Sequence, residues 1–524
     1  MPSLNGPILI GIDSGLTVTK AVVFDAATGA ALAIARRRVP QSIPAPGHIE
    51  RDMDGLWAAS AAAIREALSA CGRPAGDVLA VAATAHGDGI YLLDAAARPL
   101  GPAIVSLDTR AAALADHWND GAVADAALSL TGQRPHASAP SALLAWIKAH
   151  QPERYARIGH FFAAKDWLTF CLSGTIGTDR TEASTSFTRV DTQDYDDAAF
   201  ALFGLEDMAT RRPAAAGSVE IVGRVTAQAA RACGLLEGTP VVAGLHDVTA
   251  SALGIGGYGT GVAAVIAGTY SINETVSTVP KVDPRWFCRN GILPGEWNAM
   301  SISPASTANY DWFIDQLCAA DSAAAISAGD SIHARLAVEF DRARARPSSV
   351  LFHPYLFGSP FGGASSAGFY GLNAWHERAD LVRAVLEGIA FNHRIHVEAL
   401  VDGFQPTSVR LTGGISRNPA IAGLFADVLG LPVTATATEE AAAWGAALCA
   451  GVGAGVYASP TADPRDLKAI ETVTQPDPEA QAAYEERYQL FCEIARTMQP
   501  LWPKLRALGA PPLQPGSDEQ GAAR

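Results

Sequence analysis

Residues 7–25, PILIGIDSGLTVTKAVVFD, and residues 261–278, GVAAVIAGTYSINETVST, follow one plan. Each is an apolar run, a short turn of glycine and hydroxyl residues, and a second apolar run, which reads as strand, turn, strand. After the first hairpin, the turn signal DAATGA leads into a third apolar stretch, ALAIARRRV. Residues 54–70, DGLWAASAAAIREALSA, have helical apolar spacing, and residues 78–86, VLAVAATAH, read as a buried strand ending in the polar cluster HGDG. After the second hairpin, VRLTGGIS (409–416) is a strand ending in a glycine pair, followed by the helical NPAIAGLFADVLG (418–430). The chain therefore starts its pattern again near its middle, which is weak internal symmetry and not a short-period repeat. Residues 480–502 read as one long amphipathic helix, and PPLQPGSDEQGAAR (511–524) as a disordered tail.

Length supports two such halves, because 524 residues exceed what one core accommodates. We expect an α/β protein with an N-terminal domain over 1–245 and a C-terminal domain over 246–510. A formal charge of −14 argues against nucleic acid or an anionic membrane as partner. No run of about 18 apolar residues is present, and the first residues lack a basic stretch ahead of a long apolar one. Seven dispersed cysteines without a CxxC pair read as reduced core residues. A cytoplasmic protein is expected.

Two motifs are decoys. Residues 254–259, GIGGYG, satisfy the dinucleotide fingerprint, but a helix precedes them and a strand follows, the reverse of what a pyrophosphate needs. His393 and His396 share a helix face without a third ligand, so they read as ordinary helix residues. What remains is polar turns at strand ends: Asp13 to Thr17, Gly268 to Ser271, and Gly413-Gly414 with Asn418 one turn on. Glycine lets a backbone approach a ligand, and hydroxyl and N–H groups suit phosphate oxygens. Asp247, in GLHDVTASALGIG (244–256), closes a strand and opens a helix. It reads either as a helix cap or as a base at the lip of a cleft.

The signature that names a family is 367–387, AGFYGLNAWHERADLVRAVLE, with Gly371-Leu372, a seven-residue gap, Asp380-Leu381 and the helix ending at Glu387. With IGIDSGLTVTKAVVFD, AGTYS, LTGGISRNP and EEAAAWGAALCAG in order, the chain resembles the FGGY family of carbohydrate kinases from about residue 8 to 500. The resemblance implies two actin-like domains of the ribonuclease H-like, hexokinase-like ATPase type, with a cleft between them. It implies ATP and Mg²⁺, Asp247 as general base, and Asp13 holding the metal through water. Thr17, Lys20, Gly268, Thr269, Gly413, Gly414 and Asn418 are then the nucleotide contacts. His86, Gly87, Asp88 and His246 fall where relatives bind sugar hydroxyls, and Asp108 and Arg110 are weaker candidates for the same role. Family members are commonly homodimers.

Placed at a helix N-terminus, Asp247 is expected to have a lowered pKa. That is acceptable for a base acting late on a loose phosphoryl-transfer transition state. Leu143 and the stretch Gly358-Ser359-Pro360 stand where the family's first signature and a G-E-R motif differ. PGHIERDM, HGDG with YLLD, SPASTANYDWF and SAGFYGL resemble L-xylulose kinases, while the GDG turn and Lys165-Asp166-Trp167-Leu168 are shared with erythritol kinases. A pentulose such as L-xylulose is the expected acceptor, with an erythritol-type polyol as alternative. An actin-like switch or a sugar-sensing pseudokinase is the non-enzyme alternative. A pseudokinase would be expected to lack Asp13 or Asp247.

Overall fold

The computed structural model describes residues 6–508. The tail expected over 511–524 lies outside the described residues.

Two sheets carry the fold. The first contains β1 (Ile8–Ser14), β2 (Val18–Asp25), β3 (Ala31–Arg38), β4 (Val78–Ala85), β5 (Ile221–Arg224) and β6 (Pro240–His246) in the spatial order β5-β6-β4-β1-β2-β3. The second contains β7 (Val262–Ala267), β8 (Ser271–Ser277), β9 (Phe287–Asn290), β10 (Trp297–Ser303), β11 (Ser408–Thr412), β12 (Val433–Thr436) and β13 (Glu471–Thr474) in the order β9-β10-β8-β7-β11-β12-β13. Pairing repeats as well as order. In each sheet an antiparallel meander of three strands (β3-β2-β1 and β10-β8-β7) continues into two parallel strands (β4, β6 and β11, β12). The internal symmetry read from the two hairpins is thus a duplication of a whole sheet topology, as the resemblance implied.

Helices fill equivalent places. Between the third and fourth strands of the first sheet runs α1 (Met53–Cys71), capped by the Asp52 carboxylate and stopped by the left-handed Gly72. Its counterpart is α2 (Arg378–Phe404), the signature helix, whose Asp380 carboxylate accepts the N–H of its cap residue Glu377. The last parallel strand of each sheet feeds a further helix: α3 (Asp247–Gly254) and α4 (Ala441–Gly453). A short 3-10 turn, Gly414–Arg417, separates β11 from the helix Pro419–Leu429.

α4, AAAWGAALCAGVG, is apolar all round, and a helix of that kind must be buried on every side. It is buried against the first sheet, although it follows the last parallel strand of the second. Trp444 packs against Phe24 with the rings tilted at 58°, centroids 4.8 Å apart. α3 and α4 cross at glycines: a Cβ at Gly254 would lie 1.9 Å from the Ala441 carbonyl oxygen, and one at Gly445 2.0 Å from that of Ala250. Only glycine permits this approach. The two halves are therefore joined through packed helix backbone.

The expected long C-terminal helix is interrupted. It runs over Pro478–Met498, and a second helix, Trp502–Leu508, follows. Pro500 explains the break, since it has no N–H to continue the helical hydrogen bonds beyond Gln499. GIGGYG follows α3 and precedes β7, the reversed order that made it a decoy.

Candidate active site

The parallel strands β1, β4 and β6 end level with one another: Ser14 pairs with Ala85, and Ala85 with His246. Adjacent strands lie about 4.8 Å apart, so the residues that follow these ends, with Asp13 one place before, share a patch on the order of 10 Å wide. Asp13, the turn His86-Gly87-Asp88 and His246-Asp247 all lie there. A Cβ on Gly87 would sit 1.7 Å from His246 Nε2, so glycine is required for the HGDG turn to close over that ring. Asp88 accepts a left-handed backbone, φ 55°, which costs energy and places its carboxylate.

Asp247 departs from expectation in two ways. The cap of α3 is His246, whose Nδ1 accepts the Val248 N–H at 3.4 Å, and Asp247 is the first helical residue. Its pKa is raised, not lowered, and reaches about 7. Burial is the largest cause, the charge of Asp13 the next, and Asp88 adds to it. The N–H groups of Val248 and Gly87 pull the other way and lose. Helix-end polarity is outweighed by desolvation among like charges. With its side chain 28 % exposed, the carboxyl stays within reach of a ligand.

Asp13 is also raised, by burial first, with Lys20 opposing and Glu440 reinforcing. Lys20 Nζ lies 3.3 Å from Asp13 and 2.8 Å from Glu440. Thr17 and Thr269 stand exposed at their turns. Gly268 is tied to Thr307, whose N–H and hydroxyl both donate to the Gly268 carbonyl. Gly413 crosses close to Ala267, where its Cβ would come within 2.1 Å of a carbonyl oxygen. Gly414 and Asn418 line a cavity of 660 Å³ with Tyr310, His333 and Leu386. Asn418 also caps the helix beyond, accepting the Ala420 N–H at 2.9 Å.

Arg289, from the second sheet's edge, and Gln133 and His136 complete the patch, and the sequence did not single them out. Arg289, on β9, donates from Nη2 to Asp88 at 3.0 Å and from Nε to Gln133 at 3.1 Å, and its Nη1 faces His246 Nε2 at 3.4 Å. His136 Nε2 lies 3.8 Å from Asp88. The Tyr270 hydroxyl is pushed up by burial and then by the charge of Asp88. His86 and His246 are held near 3 and 4 by burial first and by the nearby Arg51 and Arg289 respectively, so both are neutral at ordinary pH. Asp108 and Arg110 are drawn into each other: Arg110 Nε and Nη2 both donate to Asp108, and both side chains are fully covered. Lys165 and Asp166 form a buried cluster with Asp179. His393 and His396 are taken up by Ser271, Asn273, Ser301, Ser303 and Ser306.

Raised carboxyls on Asp13 and Asp247 at the strand ends of the first sheet, with Arg289 reaching in from the second, suit a bilobal phosphotransferase. The family models describing the N-terminal and C-terminal domains of the FGGY family of carbohydrate kinases match residues 8–254 and 263–454. The chain belongs to the FGGY family of carbohydrate kinases. It is similar to an L-xylulose/3-keto-L-gulonate kinase of Escherichia coli K12, 32 % identical over 94 % of this chain and 97 % of that one. It is similar also to an erythritol kinase of Brucella abortus, 31 % identical over 95 % and 98 % of the two chains. The solved xylulose kinase of Rhodospirillum rubrum superposes with a TM-score of 0.83 at 27 % identity, over 94 % of this chain and 99 % of that one. The fold is that of the actin-like, hexokinase-like ATPases, and this FGGY protein is an enzyme, a carbohydrate kinase. The actin-like switch and the pseudokinase fall away as readings. No described helix is long and apolar enough to cross a membrane.

Proposed function

We propose that this kinase transfers the γ-phosphoryl group of ATP to the terminal hydroxyl of a small ketose, a pentulose such as L-xylulose, with Asp247 as general base. The observation that carries the proposal is the carboxyl raised to about 7 at the junction of the two sheets. A base works best with a pKa near the working pH.

The acceptor hydroxyl would donate to Asp247, with the chain of the sugar running past His246 toward Asp88. Nucleotide would occupy the 660 Å³ cavity beside Gly414 and Asn418, its phosphates passing the Gly268-Thr269 turn toward Thr17. Gly268, Gly413 and the N–H groups of these turns give oxygen-binding donors without side-chain crowding. Burial and the charge of Glu440 raise Asp13 with Lys20 offsetting only part of it, and Asp13 in turn raises Asp247, so the site suits a hard divalent cation that also binds phosphates. Mg²⁺ held beside Asp13 would neutralise charge on the migrating group. Asp247 then orients the attacking oxygen and takes its proton as the loose transition state is passed. We take residues 1–245 as the sugar-binding half and 246–510 as the nucleotide half.

The relatives support both the pentulose reading and a second, an erythritol-type polyol. An ADP-release screen over tetritols, pentuloses and hexuloses tests them, with Asp247→Ala as control. Turnover that needs a pentulose supports the first reading, and turnover confined to a tetritol supports the second. ADP release equal with and without any acceptor overturns both.

A further inference from the structure

Strand β6 ends one residue before Asp247 and leaves the regular ladder on its way there. Its pairing with β5 goes no further than Ile221 and Val242, and its register on β4 shifts between Val242 and Leu245. Gly244 carries the irregularity at φ 74°, where a Cβ would sit 1.9 Å from the Ala83 carbonyl oxygen. Residues 243–246 are buried, so their peptide groups must find partners where β5 no longer supplies them.

Two peptide units are taken up at both ends. In the Ala243–Gly244 peptide the carbonyl accepts from Lys165 Nζ at 3.2 Å, and the N–H donates to the Ser218 carbonyl at 3.1 Å. In the Leu245–His246 peptide the carbonyl accepts from the Thr84 hydroxyl at 2.7 Å, and the N–H donates to the Thr181 hydroxyl oxygen at 2.9 Å. Thr181 is itself fixed, because its hydroxyl donates to Asp179 Oδ2 at 2.7 Å. The Ser218 hydroxyl donates to the same oxygen at 2.6 Å, and Lys165 Nζ lies 2.9 Å from Oδ1. Asp179 thus ties together Lys165, Ser218 and Thr181, three residues that hold the free edge of β6. A fully buried ion pair such as Lys165 with Asp179 costs desolvation and is a poor source of net stability. What it supplies here is a fixed point.

We propose that Asp179 and Thr181, with Thr84 on the opposite side, are positioning residues for Asp247. The proposal rests on the reading of Asp247 as general base. All three are buried and act through the backbone. Only His246, the cap of α3, separates the clamped Leu245–His246 peptide from Asp247. The plane of that peptide therefore sets where the strand stops and the helix starts, and with it the place of the carboxyl. Misplacing a reacting group by about 1 Å can cost about 10²-fold in rate. Turnover, not binding, should report the hold.

The test is a double-mutant cycle of Thr181→Val and Asp247→Asn, assayed with ATP and whichever of L-xylulose and erythritol is the better acceptor. Valine keeps the shape of threonine and leaves the His246 N–H unpaired. In the wild-type background Thr181→Val should lower kcat about 10- to 100-fold, with both KM values within about twofold. Thr181→Ser, which keeps the hydroxyl, should restore kcat to within about threefold. In the Asp247→Asn background Thr181→Val should cost about twofold or less, because the group that it positions is gone. Equal fold-losses in the two backgrounds would mean a general loosening of the site and overturn the inference, as would a wild-type kcat in Thr181→Val. In both cases impairment by Asp247→Asn leaves the base reading standing. If Asp247→Asn keeps the wild-type kcat, the base reading fails first and the inference with it; no turnover with either acceptor overturns the proposed function as well. Should Thr181→Val not fold, Thr84→Val frees the other end of the same peptide and carries the same cycle, with the same outcomes.

Discussion

Lys20 Nζ lies 2.8 Å from Glu440 Oε2, across 420 positions of sequence. The same glutamate accepts from Arg36 at 2.5 Å, so the residue before α4 is held by β2 and β3 of the first sheet. The contact puts a second-half carboxylate one lysine away from Asp13. Glu440→Gln should lower the urea midpoint by an amount worth about 2 kcal/mol, as expected for a charged, mostly buried hydrogen bond. It should also lower the pKa of Asp13, since the charge of Glu440 raises it. An unchanged midpoint would show that the pair is incidental.

Asp247 must be unprotonated to accept a proton, and its pKa is about 7. The acceptor kcat/KM should therefore fall as pH drops through about 7. Asp13→Asn removes the second-largest cause of the shift, so the acid limb should move to lower pH even as turnover falls. Asp247→Asn should cost roughly 10²- to 10⁴-fold in kcat while ADP binding, measured by calorimetry, persists.

The same shift has a stability consequence. The unfolded chain holds this carboxyl near 3.8 and the folded chain near 7, so the folded state retains a proton between those values. The stability this group contributes is full below pH 3.8 and is lost as pH rises to about 7. Asp247→Asn should raise Tm at pH 8, by up to about 4 kcal/mol in stability, and leave it unchanged near pH 3.5. A fall in Tm at pH 8 would count against a desolvated carboxylate.

Gly445→Ala places a methyl group 2.0 Å from the Ala250 carbonyl oxygen, which is backbone and cannot step aside. Alanine would gain about 1 kcal/mol of helix propensity, but the clash should outweigh it. Thermal unfolding should show a net loss, with lower kcat as α3 and Asp247 shift.

Gly414 is the opposite case. A Cβ there meets nothing within 4 Å, and the residue borders the 660 Å³ cavity. Gly414→Val should leave Tm unchanged and raise KM for ATP about 10-fold or more, as side-chain bulk fills ligand space. Equal losses of stability and affinity would mean that the residue serves the fold.

Local chemistry carried far in the sequence. The two hairpins, α1, β4, the signature helix and the helix after Asn418 each have their own periodicity and caps, and the structure places them as read. GIGGYG could be rejected from the order of its flanking elements alone. The proline at 500 was equally visible, yet the amphipathic pattern running past it hid the break.

Other features had no local signal. AAAWGAALCAGVG announces a buried helix, but its composition does not say which sheet covers it. Arg289, Gln133 and His136 look like any arginine, glutamine and histidine until β9 is laid against the first half. The pKa of Asp247 was misjudged for the same reason: the helix end is visible in sequence, while the charges of Asp13 and Asp88 arrive from other strands.

Sequence by itself determined the family, the duplicated halves and the positions of the polar turns, because hydrophobic period, glycine and capping residues act over a few positions. Tertiary structure alone decided which acids face each other and which arginine crosses from the second sheet to Asp88. Desolvation and Coulomb interaction depend on distance in space: residues 13, 88 and 247 become neighbours when the parallel strands of the first sheet pair, and Arg289 joins them only when the second sheet packs against the first.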